Sequence, residues 1–239
     1  MKCIFCFFCC TLMFFCIYAQ TAYNLVSTPT GLQFTTPSAL GTKGADSVDY
    51  NDFKGSPFWN NEWQPAVFLL SNGGGVKVDQ VRLNLFTNDV YYITAAGQEM
   101  VAESENIKRV YFLDKQDSSK VVGVFERFID IKSRYNTNQA PFCQILNEGA
   151  VKLVKLISVV MDKKMDLSVG KTQYIFNQET DYFLLRHDIF YPLKKLNKEN
   201  VLAFVIPDAE TENWLAAHKS KLKSENDVLA FLGYYNKGK

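Results

Sequence analysis

The sequence predicts an α+β protein: an antiparallel β-rich meander, barrel or sandwich-like, followed by C-terminal helices. Three observations carry that expectation. From Gly55 to Tyr191, short runs of Val, Ile, Leu, Tyr and Phe alternate with clusters of turn residues. The intervals between those runs are too short for the crossover helices that parallel pairing needs. After Pro192 the apolar spacing lengthens from two residues to about 3.6, the helical period.

Taken in order, Ala66 to Leu70 reads as a strand, and the turn Ser71-Asn72-Gly73-Gly74-Gly75 leads into a longer one carrying Val76, Val78, Val81, Leu83 and Leu85. Thr87-Asn88-Asp89 reverses the chain into Val90-Tyr91-Tyr92-Ile93, and Ala95-Ala96-Gly97-Gln98 reverses it again before Met100 and Val101. Further strands are expected at Arg109 to Leu113, Val121 to Ile129, Phe142 to Leu146, Val151 to Val160, Thr172 to Phe176 and Tyr182 to Leu185. Asp117-Ser118-Ser119, Asn147-Glu148-Gly149 and Asn177-Gln178-Glu179 supply turn chemistry between several of them. In the tail, Asn197 caps a short helix through Phe204 that Pro207 ends, and Asp208 caps a second through about Leu222. Ser224-Glu225-Asn226-Asp227 opens a third with capping-box spacing, its apolar stripe formed by Val228, Leu229, Phe231, Leu232 and Tyr235.

Residues 1–19 read as a secretory signal peptide. Lys2 gives a positive start, Cys3 to Tyr18 form an apolar run broken only by Thr11, and Ala19/Gln20 suits cleavage. That run, about 16 residues, is shorter than the roughly 20 that span a bilayer, and no later stretch approaches spanning length. Bulky Phe residues precede Cys9 and Cys16, which disfavours a lipid anchor. The expected location is the periplasm or the cell exterior. Residues 20–54, rich in Thr, Ser, Pro, Gly and Ala without sustained periodicity, read as an extended or mobile arm; 55–191 form the β body and 192–239 the helical segment packed on it.

Cleavage would change what the composition means. Five of the six cysteines leave with the leader, so Cys143 alone remains and no intramolecular disulfide can staple the domain. Lys2 leaves too, and the 26 basic residues fall to 25 against 25 acidic. A balanced chain with no basic stripe excludes nucleic acid as an expected partner.

Gly55-Ser56-Pro57-Phe58-Trp59, Trp63 eight residues after Gly55, the strand-turn-strand that follows, and the terminal Leu232-Gly233-Tyr234-Tyr235-Asn236 together resemble an uncharacterised family of secreted Bacteroidetes-type proteins. That family combines a G-S-P-aromatic entry segment, a β-meander and an acidic-capped last helix ending in Tyr-Tyr-Asn. The resemblance covers most of residues 55 to 236 and implies a Gram-negative envelope location. It brings no catalytic residues.

The candidates for chemistry have stronger structural explanations. Gly170-Lys171-Thr172 imitates the end of a phosphate loop, but Met165 stands where that loop requires its first glycine. Cys143, between Phe142 and Gln144 in an expected strand, reads as a small core side chain in place of a nucleophile. His187 and Asp188, adjacent along an expected strand, would point to opposite faces, so Asp188 cannot orient His187 as a base. His218, one turn after Trp214, reads as its packing partner. Two histidines and one cysteine match no zinc pattern, and no cofactor is expected. Glu62, Glu99, Glu103, Glu105, Asp114 and Glu126 would allow a glycosidase only if two of them converge, which spacing cannot reveal.

Phe58, Trp59 and Trp63 form the most suggestive local feature. Exposed aromatic faces stack on sugar rings or apolar ligands, and Asn60, Asn61 and Glu62 between them could exchange hydrogen bonds; the competing reading has the rings plug the start of the sheet. The expected function is therefore a non-enzymatic binding or envelope-accessory protein with an unknown ligand or envelope protein as partner. Its rivals are a hydrolase acting on envelope or environmental polymers and a small lipid carrier.

Overall fold

A computed structural model describes residues 43–44, 53–132, 140–166 and 171–238. The expected signal peptide, most of the expected arm and Gly170 lie outside the described residues. The fold is α+β: a mostly antiparallel sheet with three C-terminal helices.

The strands are β1 (Lys43–Gly44), β2 (Phe53–Lys54), β3 (Gln64–Leu70), β4 (Gly75–Asn84), β5 (Asp89–Ile93), β6 (Glu99–Ala102), β7 (Ile107–Leu113), β8 (Val121–Arg127), β9 (Phe142–Ile145), β10 (Val151–Asp166), β11 (Lys171–Arg186) and β12 (Ile189–Leu193). All belong to one sheet, ordered β1-β6-β5-β4-β3-β7-β8-β9-β10-β11-β12, with β2 added in parallel to the far end of β11. Among the described residues the path does not close: the sheet is open, and it is a single sheet. From β3 onward, neighbours along the chain pair as hairpins except β6 and β7, because β3 sits between β4 and β7, while β1 and β2 add to β6 and β11.

Alternation sorts the side chains into two faces. Antiparallel partners share a face, and the registers Ala66↔Phe112, Val110↔Phe125 and Arg127↔Phe142 trace one of them. This face carries a large cluster that includes Phe68, Val81, Leu83, Tyr92, Phe112, Phe125 and Phe142, joined by Ile157, Val159 and Phe176 from the distal half of the β10-β11 hairpin. The opposite face carries Val67, Tyr111, Val124, Cys143, Ile145, Val154 and Leu156. Nearer its base, β10 offers Val151 and Leu153 to the helices.

The helices are α1 (Lys198–Leu202), α2 (Ala209–Ala217) and α3 (Glu225–Tyr235), started as expected by Asn197, Asp208 and Ser224. Each cap accepts a backbone N–H three residues on, from Asn200, Thr211 and Asp227. Val228, Leu229, Phe231, Leu232 and Tyr235 of α3 are all buried against the sheet, as their spacing foretells. Lys155 and the Tyr182 hydroxyl both bind the Glu225 carboxylate at 2.9 Å, tying the start of α3 to β10 and β11. Burial and that carboxylate push the Tyr182 phenol up to about 12. Among the described residues no helix is long and apolar enough to cross a membrane.

Three expectations need correction. The strands expected at Thr172 to Phe176 and Tyr182 to Leu185 are one strand, because Asn177, Gln178 and Glu179 pair with Val160, Val159 and Ser158 and their turn preference is overridden. The second helix stops at Ala217, five residues early. His187 and Asp188 are not strand residues: both have positive φ, 50° and 60°, and form the two-residue turn between β11 and β12.

Candidate functional site

The entry segment 55–63 is built by local rules. Gly55 has φ +79°, and a Cβ there would meet the Phe176 carbonyl oxygen at 2.5 Å, so only glycine fits. Ser56 Oγ accepts the Phe58 amide, the Pro57 carbonyl accepts the Leu85 amide, and the Trp59 amide donates to the Leu83 carbonyl. Phe58 also bridges Asn84, so the segment lies as an extra rung beside the end of β4. Consecutive residues of such a rung point to opposite sides, which separates Phe58 from Trp59.

Trp59 turns into the large cluster. Its ring centroid lies 4.8 Å from Phe112 and 5.0 Å from Phe125, and its far edge covers Gly123, where a Cβ would be 2.6 Å away. Phe58 is buried on the other side, edge-on to Tyr91 at 6.0 Å. The Arg82 guanidinium sits 4.3 Å over the Phe58 ring and 3.9 Å over the Trp63 ring. It also reaches Glu99 at 3.3 Å. Of the three aromatic candidates, then, Phe58 and Trp63 are brought together around Arg82 and Trp59 is placed elsewhere.

Trp63 lines an open groove of about 370 Å³ with Pro65, Lys77, Asp79, Lys115 and Ser118. A β-bulge shapes its floor: Gln64 pairs with Val81 but Ala66 with Val78, so Pro65 faces two residues, Asp79 and Gln80. Proline has no N–H to lose there, and alternation puts Lys77 and Asp79, two residues apart on β4, on the same face as Pro65. Glu62 and Lys115 pair at 2.5 Å at the rim, and Lys115 holds the Glu62 carboxyl below its ordinary range. Both are exposed, so the pair fixes position more than it adds stability.

Among the other carboxylates, Glu99, Glu103 and Asp114 are each bound to a turn or a cation. Asp114 and Asp117 accept backbone amides of their own turn, Glu103 accepts the Asn106 amide, and Glu99 meets Arg82. Glu126 and Glu148 do converge, on Arg109, which also donates to the Tyr111 hydroxyl, while Glu148 pairs with Lys152 as well. The Arg109 and Glu126 side chains are 14% and 13% exposed, so this is a charge-neutralised cross-link of β7, β8 and the β9-β10 loop. No group of three or more His, Cys, Asp or Glu residues able to hold a metal occurs among the described residues.

Cys143 is fully buried, and burial together with Glu126 pushes its thiol well above the ordinary range. A thiolate reagent is expected to label it slowly in native protein and rapidly in urea. Fast native labelling would return it to the list of nucleophiles. Lys171 and Thr172 begin strand β11, whereas a phosphate loop runs into a helix. His218 stacks on Trp214 at 4.1 Å, as its spacing foretells. The interior that a lipid carrier would keep hollow is filled by Phe68, Tyr92, Phe112, Phe125 and Phe142, with Trp59 packed against them. No known protein family, curated protein or solved structure matches this chain.

Arg82 is the site residue that sequence reasoning missed. It occupies an outward position of an alternating strand, which reads as a solvated charge, and only the return of 57–63 past β4 lays two rings on it. The faint signal was an arginine in a strand whose neighbour β5 offers Tyr91 directly opposite.

Proposed function

We propose that this protein is an exported, non-enzymatic binding protein whose ligand is a saccharide held in the Trp63 groove. The observation that carries the reading is the Trp63 ring, fixed by the Arg82 guanidinium and edging a groove that also holds an acceptor, two ammonium donors and a hydroxyl. A sugar ring offers an apolar C–H face for stacking and hydroxyls that both donate and accept. Asp79, Lys77, Lys115 and Ser118 match those hydroxyls. Export rests on the apolar leader at Cys3 to Tyr18, and the periplasm or cell exterior is where such polymers are met.

The test is titration of the parent protein and Trp63→Ala against a panel of neutral and acidic oligosaccharides, followed by tryptophan fluorescence and calorimetry. The parent is expected to bind at least one of them, and Trp63→Ala to bind about tenfold or more weakly, with a melting temperature within about 3 °C of the parent. Absence of binding across the panel, or equal binding by Trp63→Ala, would overturn the assignment.

A further inference from the structure

A second cavity lies at the opposite end of the chain, between α2 and α3, and its wall is a cationic loop. Residues 218–223 read His-Lys-Ser-Lys-Leu-Lys. Lys219, Lys221 and Lys223 are exposed, line a cavity of about 450 Å³ and form no ion pair among the described residues. Asp227 is the one acid that lines it, so the wall carries a surplus of positive charge. The near balance of the whole chain, 26 basic against 25 acidic residues, hides this local excess.

The loop is held in place. Leu222 is fully buried in the helical cluster, as a peg between Lys221 and Lys223. Leu222 and Lys219 both take left-handed backbone, φ +50° and +48°, which costs a residue other than glycine about 1 kcal/mol or more. Backbone bonds fix the rest: Lys219 to Ala216, Ser220 to Leu215, and Lys198 to the Lys221 carbonyl. Three like charges on a strained, pinned loop repel one another at short range, and a bound anion would relieve that repulsion.

The polar groups fit a compact anion. Ser220 lines the cavity with a buried hydroxyl oxygen that has no partner among the described residues. His218 Nδ1 donates to the Trp214 carbonyl at 2.8 Å, which fixes the ring beside the lysines. Two near-parallel rings, His218 at 4.1 Å and Tyr234 at 5.6 Å, already stack on the Trp214 indole. What the cavity offers is therefore cationic and hydroxyl donors in excess of stacking surface, and a tetrahedral oxyanion with several acceptor oxygens uses all of them.

We propose that this cavity binds a phosphate or sulfate group, either free or as the terminal ester of a sugar. The proposal does not depend on the Trp63 groove. Its test is calorimetric titration at low salt of the full chain with inorganic phosphate, glucose 6-phosphate and, as the uncharged control, glucose. The same titrations are made on K219Q/K221Q/K223Q, whose substitutions lie on exposed side chains.

Saturable binding of a phosphate probe below about 10 mM, weakened about tenfold or more in the triple variant, is the expected result. Glucose 6-phosphate binding more tightly than inorganic phosphate would identify the ester as the ligand, and equal affinities would identify the free ion. No saturation by either probe, binding unaltered in the triple variant, or equal binding of glucose would each overturn the assignment. Melting temperatures of parent and variant, measured without phosphate, separate lost binding from lost folding.

Discussion

Trp59→Ala is expected to lower the unfolding free energy by about 3 kcal/mol, whereas Trp63→Ala should cost under about 1 kcal/mol. The two tryptophans are four residues apart and chemically identical, so the difference isolates placement. Trp59 fills the space between Phe112, Phe125 and Gly123, and truncating it leaves a void that a close-packed sheet interior cannot fully collapse. Trp63 loses its stack on Arg82, which keeps Phe58 and Glu99 as partners. Urea denaturation with unchanged slope would measure both. A stable Trp59→Ala would mean that the ring is not a plug. Gly123→Val should echo the Trp59 defect from the other side, since a side chain there collides with the indole edge.

The same pair shows how far the sequence could be read. Strands β4 and β5 were legible because one face is buried and the other less so, which imprints a period of two, whereas β3 and β7, buried on both faces, were legible as short continuous apolar runs. Helix starts were legible because Asn197, Asp208 and Ser224 act on amides only three residues away. Features decided at long range were not. Asn177-Gln178-Glu179 is good turn chemistry, but sixteen consecutive pairs with β10 outweigh it. Leu215 and Leu222, seven residues apart, fit one helical stripe, yet Leu222 reaches the cluster from a left-handed loop residue after the helix has ended. His187-Asp188 makes a hairpin turn without the glycine that usually signals one. The aromatic cluster Phe58, Trp59 and Trp63 was visible as composition, but its division between core and groove depends on Arg82, nineteen residues beyond Trp63 in sequence and beside it in space.

Asn236→Ala is expected to cost about 2 to 3 kcal/mol, more than the loss of a helix C-cap, because this side chain joins the end of α3 to the β9-β10 turn. Its Oδ1 accepts the Val151 amide at 3.0 Å, and its Nδ2 donates to the Val151 carbonyl at 2.9 Å and the Glu148 carbonyl at 3.3 Å. Asn147 works from the sheet side, its Oδ1 accepting the Leu153 amide and its Nδ2 donating to Val151. Removing the Asn236 amide leaves a half-buried backbone N–H without its partner at the base of β10. The contact is possible only because residue 149 is glycine: its φ is +129°, and a Cβ would lie 2.5 Å from Asn236 Nδ2. Gly149→Ala should therefore destabilise by roughly 3 kcal/mol through backbone strain and collision together. The two defects share one contact, so Gly149→Ala in an Asn236→Ala background should cost clearly less than Gly149→Ala alone. Thermal and urea unfolding of the two single variants and the double variant measure that coupling; strictly additive losses would show that Asn236 and Gly149 act independently.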